Sequence, residues 1–89
     1  MINVYIPSPL RPFTHEQSEI QLEGGTVGEV MENFRLRFPE AAARFFSPRT
    51  ARYLNLYLNE EDVRVLEKGM DTPVLKGDEL AIVFAVGGG

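Results

Sequence analysis

The residues of this chain best suited to chemistry are its last ones. Gly87-Gly88-Gly89 follows directly on the apolar run Leu80–Val86. Three glycines add nothing to a core and lose much backbone entropy when ordered. What they offer is access. The four residues from Val86 onward, fully extended, reach about 13 Å, and without side chains they pass through a narrow channel into another protein's active site. The reactive group delivered that way is the carboxylate of Gly89, with Gly87 and Gly88 as the threading segment. A terminal glycine run alone is equally compatible with a frayed end.

Other chemistries have little to stand on. There is no cysteine, so disulfides, thiolate metal sites and persulfides are excluded, and any sulfur the chain carries must sit on another group. The single histidine, His15, lies in the polar stretch Thr14-His15-Glu16-Gln17 and reads as a solvated loop residue. No catalytic residue and no metal ligand is expected. A net charge of −4 and a pI near 4.9 argue against a nucleic-acid partner, which would call for a basic stripe. The longest apolar run is far short of the roughly 20 residues of a membrane span, and no basic-then-apolar leader opens the chain. The expectation is a cytoplasmic protein with no membrane partner.

Eighty-nine residues make one domain, which buries about 60–65% of the surface its unfolded chain exposes. Met1–Ile6 alternates, with Ile2, Val4 and Ile6 on one side and Asn3 and Tyr5 on the other, the period of a half-buried strand. Pro7, Pro9 and Pro12 stop it. Ser18–Leu22 alternates again and closes at Gly24-Gly25. Thr26 and Glu29 fit a capping box, and Val27, Val30, Met31, Phe34 and Phe38 form one helical stripe, leaving Arg35 and Arg37 on a solvated face. Pro39 ends that helix and opens a short second one to Phe46. After the Ser47-Pro48 break, Tyr53–Leu58 is the clearest strand. Asn59–Asp62 reads as a polar turn and Val63–Leu66 as a short returning strand. Leu80–Val86 is apolar on both faces, which calls either for a second covering layer or for a partner surface. The element order predicts an α+β mixed sheet packed on one main helix.

That order, the Gly77-Asp78-Glu79-Leu80 turn before the last strand and the terminal diglycine resemble the MoaD/ThiS sulfur carriers, which have the ubiquitin-like β-grasp fold. Leu10-Arg11-Pro12-Phe13-Thr14 and Leu54-Asn55-Leu56-Tyr57-Leu58-Asn59-Glu60-Glu61-Asp62-Val63-Arg64 are similar to segments of the cysteine-biosynthesis branch of that family. The ending departs from that branch, which has Ala before its final two glycines, and Phe84-Ala85 stands where molybdopterin-pathway members often carry prolines.

The resemblance implies a β-grasp domain over residues 1–86 and a tail over 87–89. It implies that an E1-like adenylating sulfurtransferase uses ATP to activate Gly89, and that sulfur then gives a C-terminal thiocarboxylate. A PLP-dependent cysteine synthase would consume that sulfur, and a zinc metalloprotease would release the cysteine and regenerate the carrier. ATP, PLP and zinc belong to those partners. The chain itself is a carrier, not an enzyme, and binds no cofactor. Phe84, Val86, Tyr5 and Tyr57 are candidate docking residues. The alternatives are a molybdopterin-synthase small subunit, a thiamine-pathway carrier, and, in another class, a ubiquitin-like protein modifier or interaction domain.

Overall fold

A computed structural model describes residues 1–84. Five strands form one mixed sheet in the order β2-β1-β5-β3-β4. They are β1 (Ile2–Tyr5), β2 (Glu19–Leu22), β3 (Leu54–Leu58), β4 (Glu61–Asp62) and β5 (Glu79–Phe84). β5 sits between β1, which it pairs in parallel from Asn3↔Glu79 to Tyr5↔Ala81, and β3, which it pairs antiparallel from Leu54↔Phe84 to Leu58↔Leu80.

Helix α1 (Val27–Arg37) covers one face. Its start follows from local chemistry: Thr26 Oγ1 accepts the Glu29 N–H at 3.1 Å, and the Glu29 carboxylate reaches back to the Gly25 N–H at 2.7 Å. The capping box therefore closes one residue before the N-cap, because the loop entering the helix brings the Gly25 amide into reach. Val27, Val30 and Phe34 are fully buried against Val4, Leu80 and Ile82. Burying a side chain of this kind contributes about 1.5–3 kcal/mol. Phe38 ends α1, and Pro39 opens α2 (Pro39–Phe45), as its fixed φ favours.

The prolines after β1 do more than stop it. Ser8–Phe13 forms a 3₁₀ turn that drops Leu10 into the core. Arg11 Nε donates to the Ile6 carbonyl at 3.0 Å, and the buried Thr14 hydroxyl donates to the Gln17 carbonyl at 3.1 Å. Phe13 meets Phe45 edge-on, with ring centroids 5.9 Å apart. The Leu10–Thr14 segment thus clamps α2 to the sheet.

Three expectations are corrected. Tyr53 belongs to a 3₁₀ turn over Ala51–Tyr53, and β3 begins at Leu54. The turn after β3 is only Asn59-Glu60, both at positive φ (48° and 73°), which is the two-residue hairpin geometry that matches strand twist. The returning strand is therefore Glu61–Asp62, and Val63–Val65 is a 3₁₀ turn rather than a strand. The Asp62 carboxylate accepts the Arg64 N–H at 2.9 Å and turns the chain before Val63 can pair. Among the described residues the face of β5 opposite α1 has no second layer.

Candidate functional site

Gly87, Gly88, Gly89 and Val86, together with the expected domain boundary at residue 86, lie outside the described residues. What the structure describes is the platform leading to them. β5 is the central strand, paired with β1 as far as Ala81 and with β3 as far as Phe84. Its start is held too. The Asn59 N–H donates to the Glu79 carbonyl at 2.8 Å, the Asn59 side-chain oxygen accepts the Glu79 N–H at 3.0 Å, and its amide donates to Asp78 at 3.2 Å. The β3–β4 hairpin is thereby fastened to the beginning of the strand that carries the tail.

Tyr5 and Tyr57 face away from α1. They flank Ala81 across the sheet, since Ala81 pairs with both. Val83, 39% exposed, stands next along β5. The result is an apolar centre of two phenol rings, Ala81 and Val83, bordered by Glu19 opposite Tyr5, Asp62 opposite Tyr57, and Glu79. The Tyr5 hydroxyl donates to Glu79 at 3.1 Å. That hydrogen bond raises the phenol above its ordinary pKa, with desolvation and the neighbouring carboxylates adding to the effect. The Asp62 carboxyl is held below its usual range, chiefly by hydrogen bonds from the Arg64 side chain, 2.7 Å away in the ion pair.

Phe84 does not join this face. It lies on the α side, half-buried, with Phe45 at 5.4 Å and Tyr53 at 6.1 Å between ring centroids. The four expected docking residues are therefore not brought together. Tyr5 and Tyr57 share the open face, Phe84 anchors the end of β5 from beneath, and Val86 lies beyond the description. Ala81 and Val83 stand on the open face in their place, as the two-sided apolar character of Leu80–Val86 allows.

His15 is exposed, at positive φ (55°), with its ring 6.1 Å from that of Phe38. Arg37 and Glu40 line the same surface hollow, and among the described residues no hydrogen bond joins the imidazole to an acid, as a triad would need. Among the described residues no group of three His, Asp or Glu side chains is arranged to hold a metal, and no helix is long and apolar enough to cross a membrane. The described surface thus offers an apolar face of Tyr5, Tyr57, Ala81 and Val83 bordered by carboxylates.

Known proteins share this fold. The ThiS family model matches residues 4–89. The sulfur carrier protein CysO of Mycobacterium tuberculosis is 34% identical over 92 residues, covering 99% of this chain and 98% of the relative. Among solved structures, the Amycolatopsis orientalis BexX/CysO complex contains a chain that superposes with a TM-score of 0.84 at 34% identity, covering all of both chains. The small archaeal modifier protein 1 of Methanosarcina acetivorans superposes with a TM-score of 0.81 at 24% identity over 99% of this chain and 95% of that one, a likeness of fold.

Proposed function

The chain belongs to the ThiS family, and from that premise we propose that it carries sulfur as a thiocarboxylate on Gly89 for cysteine biosynthesis. The observation that carries this reading is the match to CysO over nearly the whole of both chains, at 34% identity. The absence of cysteine from the sequence supports it, since the sulfur then needs the terminus.

The chemistry runs in two steps. A Gly89 carboxylate oxygen attacks the α-phosphorus of ATP and pyrophosphate leaves. A carboxylate is a poor electrophile because its charge is delocalised, whereas the acyl-adenylate carries AMP as a leaving group. A sulfur donor then attacks the acyl carbon, AMP departs, and the thiocarboxylate remains. Its sulfur is a nucleophile held on a protein, so free sulfide need not diffuse. The adenylation belongs to an E1-like partner. At a PLP-dependent synthase the sulfur becomes that of a cysteine still joined to the Gly89 carbonyl, and hydrolysis of that bond by a zinc metalloprotease releases the cysteine and restores the carboxylate. The carrier supplies recognition: the face of Tyr5, Tyr57, Ala81 and Val83 docks, and Gly87 and Gly88 enter the partner's active site.

The test is intact mass after incubation with ATP, sulfide and the E1-like enzyme. Exchange of one oxygen for sulfur, mapped to Gly89 by fragmentation, is expected. An unchanged mass, with an enzyme shown to load another carrier, would overturn the reading. Deleting Gly88 and Gly89 should abolish loading while the far-UV circular dichroism stays that of the intact domain.

A further inference from the structure

The charge of this chain is unevenly placed. Residues 41–59 contain three arginines, Arg44, Arg49 and Arg52, and no acidic residue, although the chain has thirteen Asp and Glu against nine Lys and Arg. The three line one open groove of about 620 Å³ with Ser47, Thr50 and Tyr53, between the end of α2 and the start of β3. All three are exposed. The ion pairs of the described residues are Glu32–Arg35 and Asp62–Arg64, so these three guanidinium groups have no carboxylate partner among them.

Two of them are fixed in place. Arg44 lies over the Phe13 ring at 4.9 Å, and Arg52 over the Tyr53 ring at 4.9 Å with a 2.9 Å hydrogen bond to the Tyr53 hydroxyl. Stacking of this kind holds an arginine without neutralising it. The groove is also beside the end of β5, because Phe84 packs on Phe45, the residue after Arg44, and on Tyr53, the residue after Arg52. Any enzyme that receives the chain beyond Phe84 must lie close to this groove.

We propose that Arg44, Arg49 and Arg52 form an electropositive docking patch for an acidic surface on the adenylating enzyme that receives the Gly89 tail. The inference rests on the sulfur-carrier reading and adds to it the chemistry of the partner's rim. The occupant is a protein surface rather than a small phosphate, because the groove is open and two guanidinium groups are splayed onto separate rings. It is a protein rather than a nucleic acid, because six basic and thirteen acidic residues outside the patch would repel a polyanion laid across the domain. Local charge of one sign raises encounter rates by 10–10³ when the partner complements it, and salt removes the effect.

The experiment measures kcat/KM for pyrophosphate release by the adenylating enzyme with the full chain, in about 0.05 M and about 0.5 M NaCl, ionic strengths on either side of physiological screening. The substrates are wild type, the triple charge reversal Arg44→Glu/Arg49→Glu/Arg52→Glu and the charge-keeping triple lysine variant. Wild type is expected to lose efficiency as salt rises. The reversal should be about ten-fold or more less efficient at low salt, within the range of electrostatic steering, with the loss mostly in KM and smaller in high salt. The lysine variant should follow wild type, and melting curves should show all three folded. Equal efficiency of the reversal and wild type at low salt would overturn the patch alone. No pyrophosphate release with wild type would overturn the carrier reading and the patch with it. Binding of a single-stranded oligonucleotide, lost in the reversal, would also overturn the proposal and assign the patch to nucleic acid.

Discussion

Gly24→Ala is expected to destabilise the domain severely, while Gly25→Ala next to it is expected to do almost nothing. A Cβ built on Gly24 would stand 2.6 Å from Val30 Cγ2, 2.8 Å from Val30 N and 3.1 Å from Val30 Cα. Unstrained carbon contacts lie near 3.5–4.0 Å. The side-chain methyl has little room, because Val30 is fully buried beneath the sheet, and the backbone cannot move alone, because Val30 N–H donates to the Thr26 carbonyl at 3.0 Å in the first turn of α1. The helix start must shift, or the Glu23–Gly25 loop must open. Gly24 also sits at a φ of 156°. Overpacking and backbone strain together cost about 2–4 kcal/mol. At about 4–8 °C per kcal/mol for a domain of this size, Tm falls by roughly 10–30 °C. At Gly25 the nearest atom is the Glu29 carboxylate oxygen at 3.1 Å, the far end of a flexible side chain, so the change stays within about 0.5 kcal/mol. Urea unfolding followed by circular dichroism reads both. A Gly24→Ala variant within about 0.5 kcal/mol of Gly25→Ala would refute the claim that α1 presses directly on the chain at Gly24.

Thr26→Ala removes the oxygen that accepts the Glu29 N–H and should cost about 1 kcal/mol, read as a lower urea midpoint at constant m-value. The Tyr5 phenol, raised in the folded state by Glu79, should titrate above its ordinary value by ultraviolet absorbance and fall back toward it in Glu79→Ala. Since its folded pKa lies above the unfolded one, the associated stabilisation is present below the unfolded value and is lost as pH rises through the folded one. Asp62 runs the other way. Its folded pKa is depressed by Arg64, so its contribution is present above the unfolded value and lost as pH falls through the folded one, and Arg64→Ala should move its carboxyl titration, followed by carbon NMR, upward.

Much of the fold was legible because its signals are local. The alternation of Ile2, Val4 and Ile6, the stripe from Val27 to Phe38 and the Thr26–Glu29 cap each depend on residues within a few positions of one another, and the structure has each. Val63–Leu66 misled because its alternation is genuine, while the competing Asp62–Arg64 hydrogen bonds and the positive φ of Asn59 and Glu60 are not apparent from hydrophobic period. The two-sided apolar run of β5 was readable, but not which face would stay open, since that depends on where α1 crosses the sheet. Phe84 was placed among docking residues because strand parity cannot reveal that α2 brings Phe45 beneath it. The arginine groove has no signature in any single residue. Its signal was a missing charge, the acid-free stretch 41–59, which only a distribution along the chain reveals.

The position of β5 bears on how a partner must recognise this carrier. Phe84 is paired to Leu54 and packed on Phe45 and Tyr53, so a partner gripping the sheet finds the start of the tail at a fixed place. The tail itself offers little to grip: Gly87, Gly88 and Gly89 have no side chains, and fixing glycine in one conformation costs more backbone entropy than fixing any other residue. On the order of 1–2 kcal/mol per residue must be offset when a chain is held in a channel, and backbone hydrogen bonds return only about 0.5–1.5 kcal/mol each. On the proposed reading the affinity comes from the folded surface, from Tyr5, Tyr57, Ala81 and Val83 on one side and the three arginines beside Phe84. A synthetic peptide of residues 80–89 is expected to be adenylated at least about a hundred-fold less efficiently than the whole chain, the factor that loss of about 2.7 kcal/mol of docking energy would produce. Comparable kcat/KM for peptide and protein would mean that the tail alone is recognised, and that the open face and the arginine groove take no part in activation.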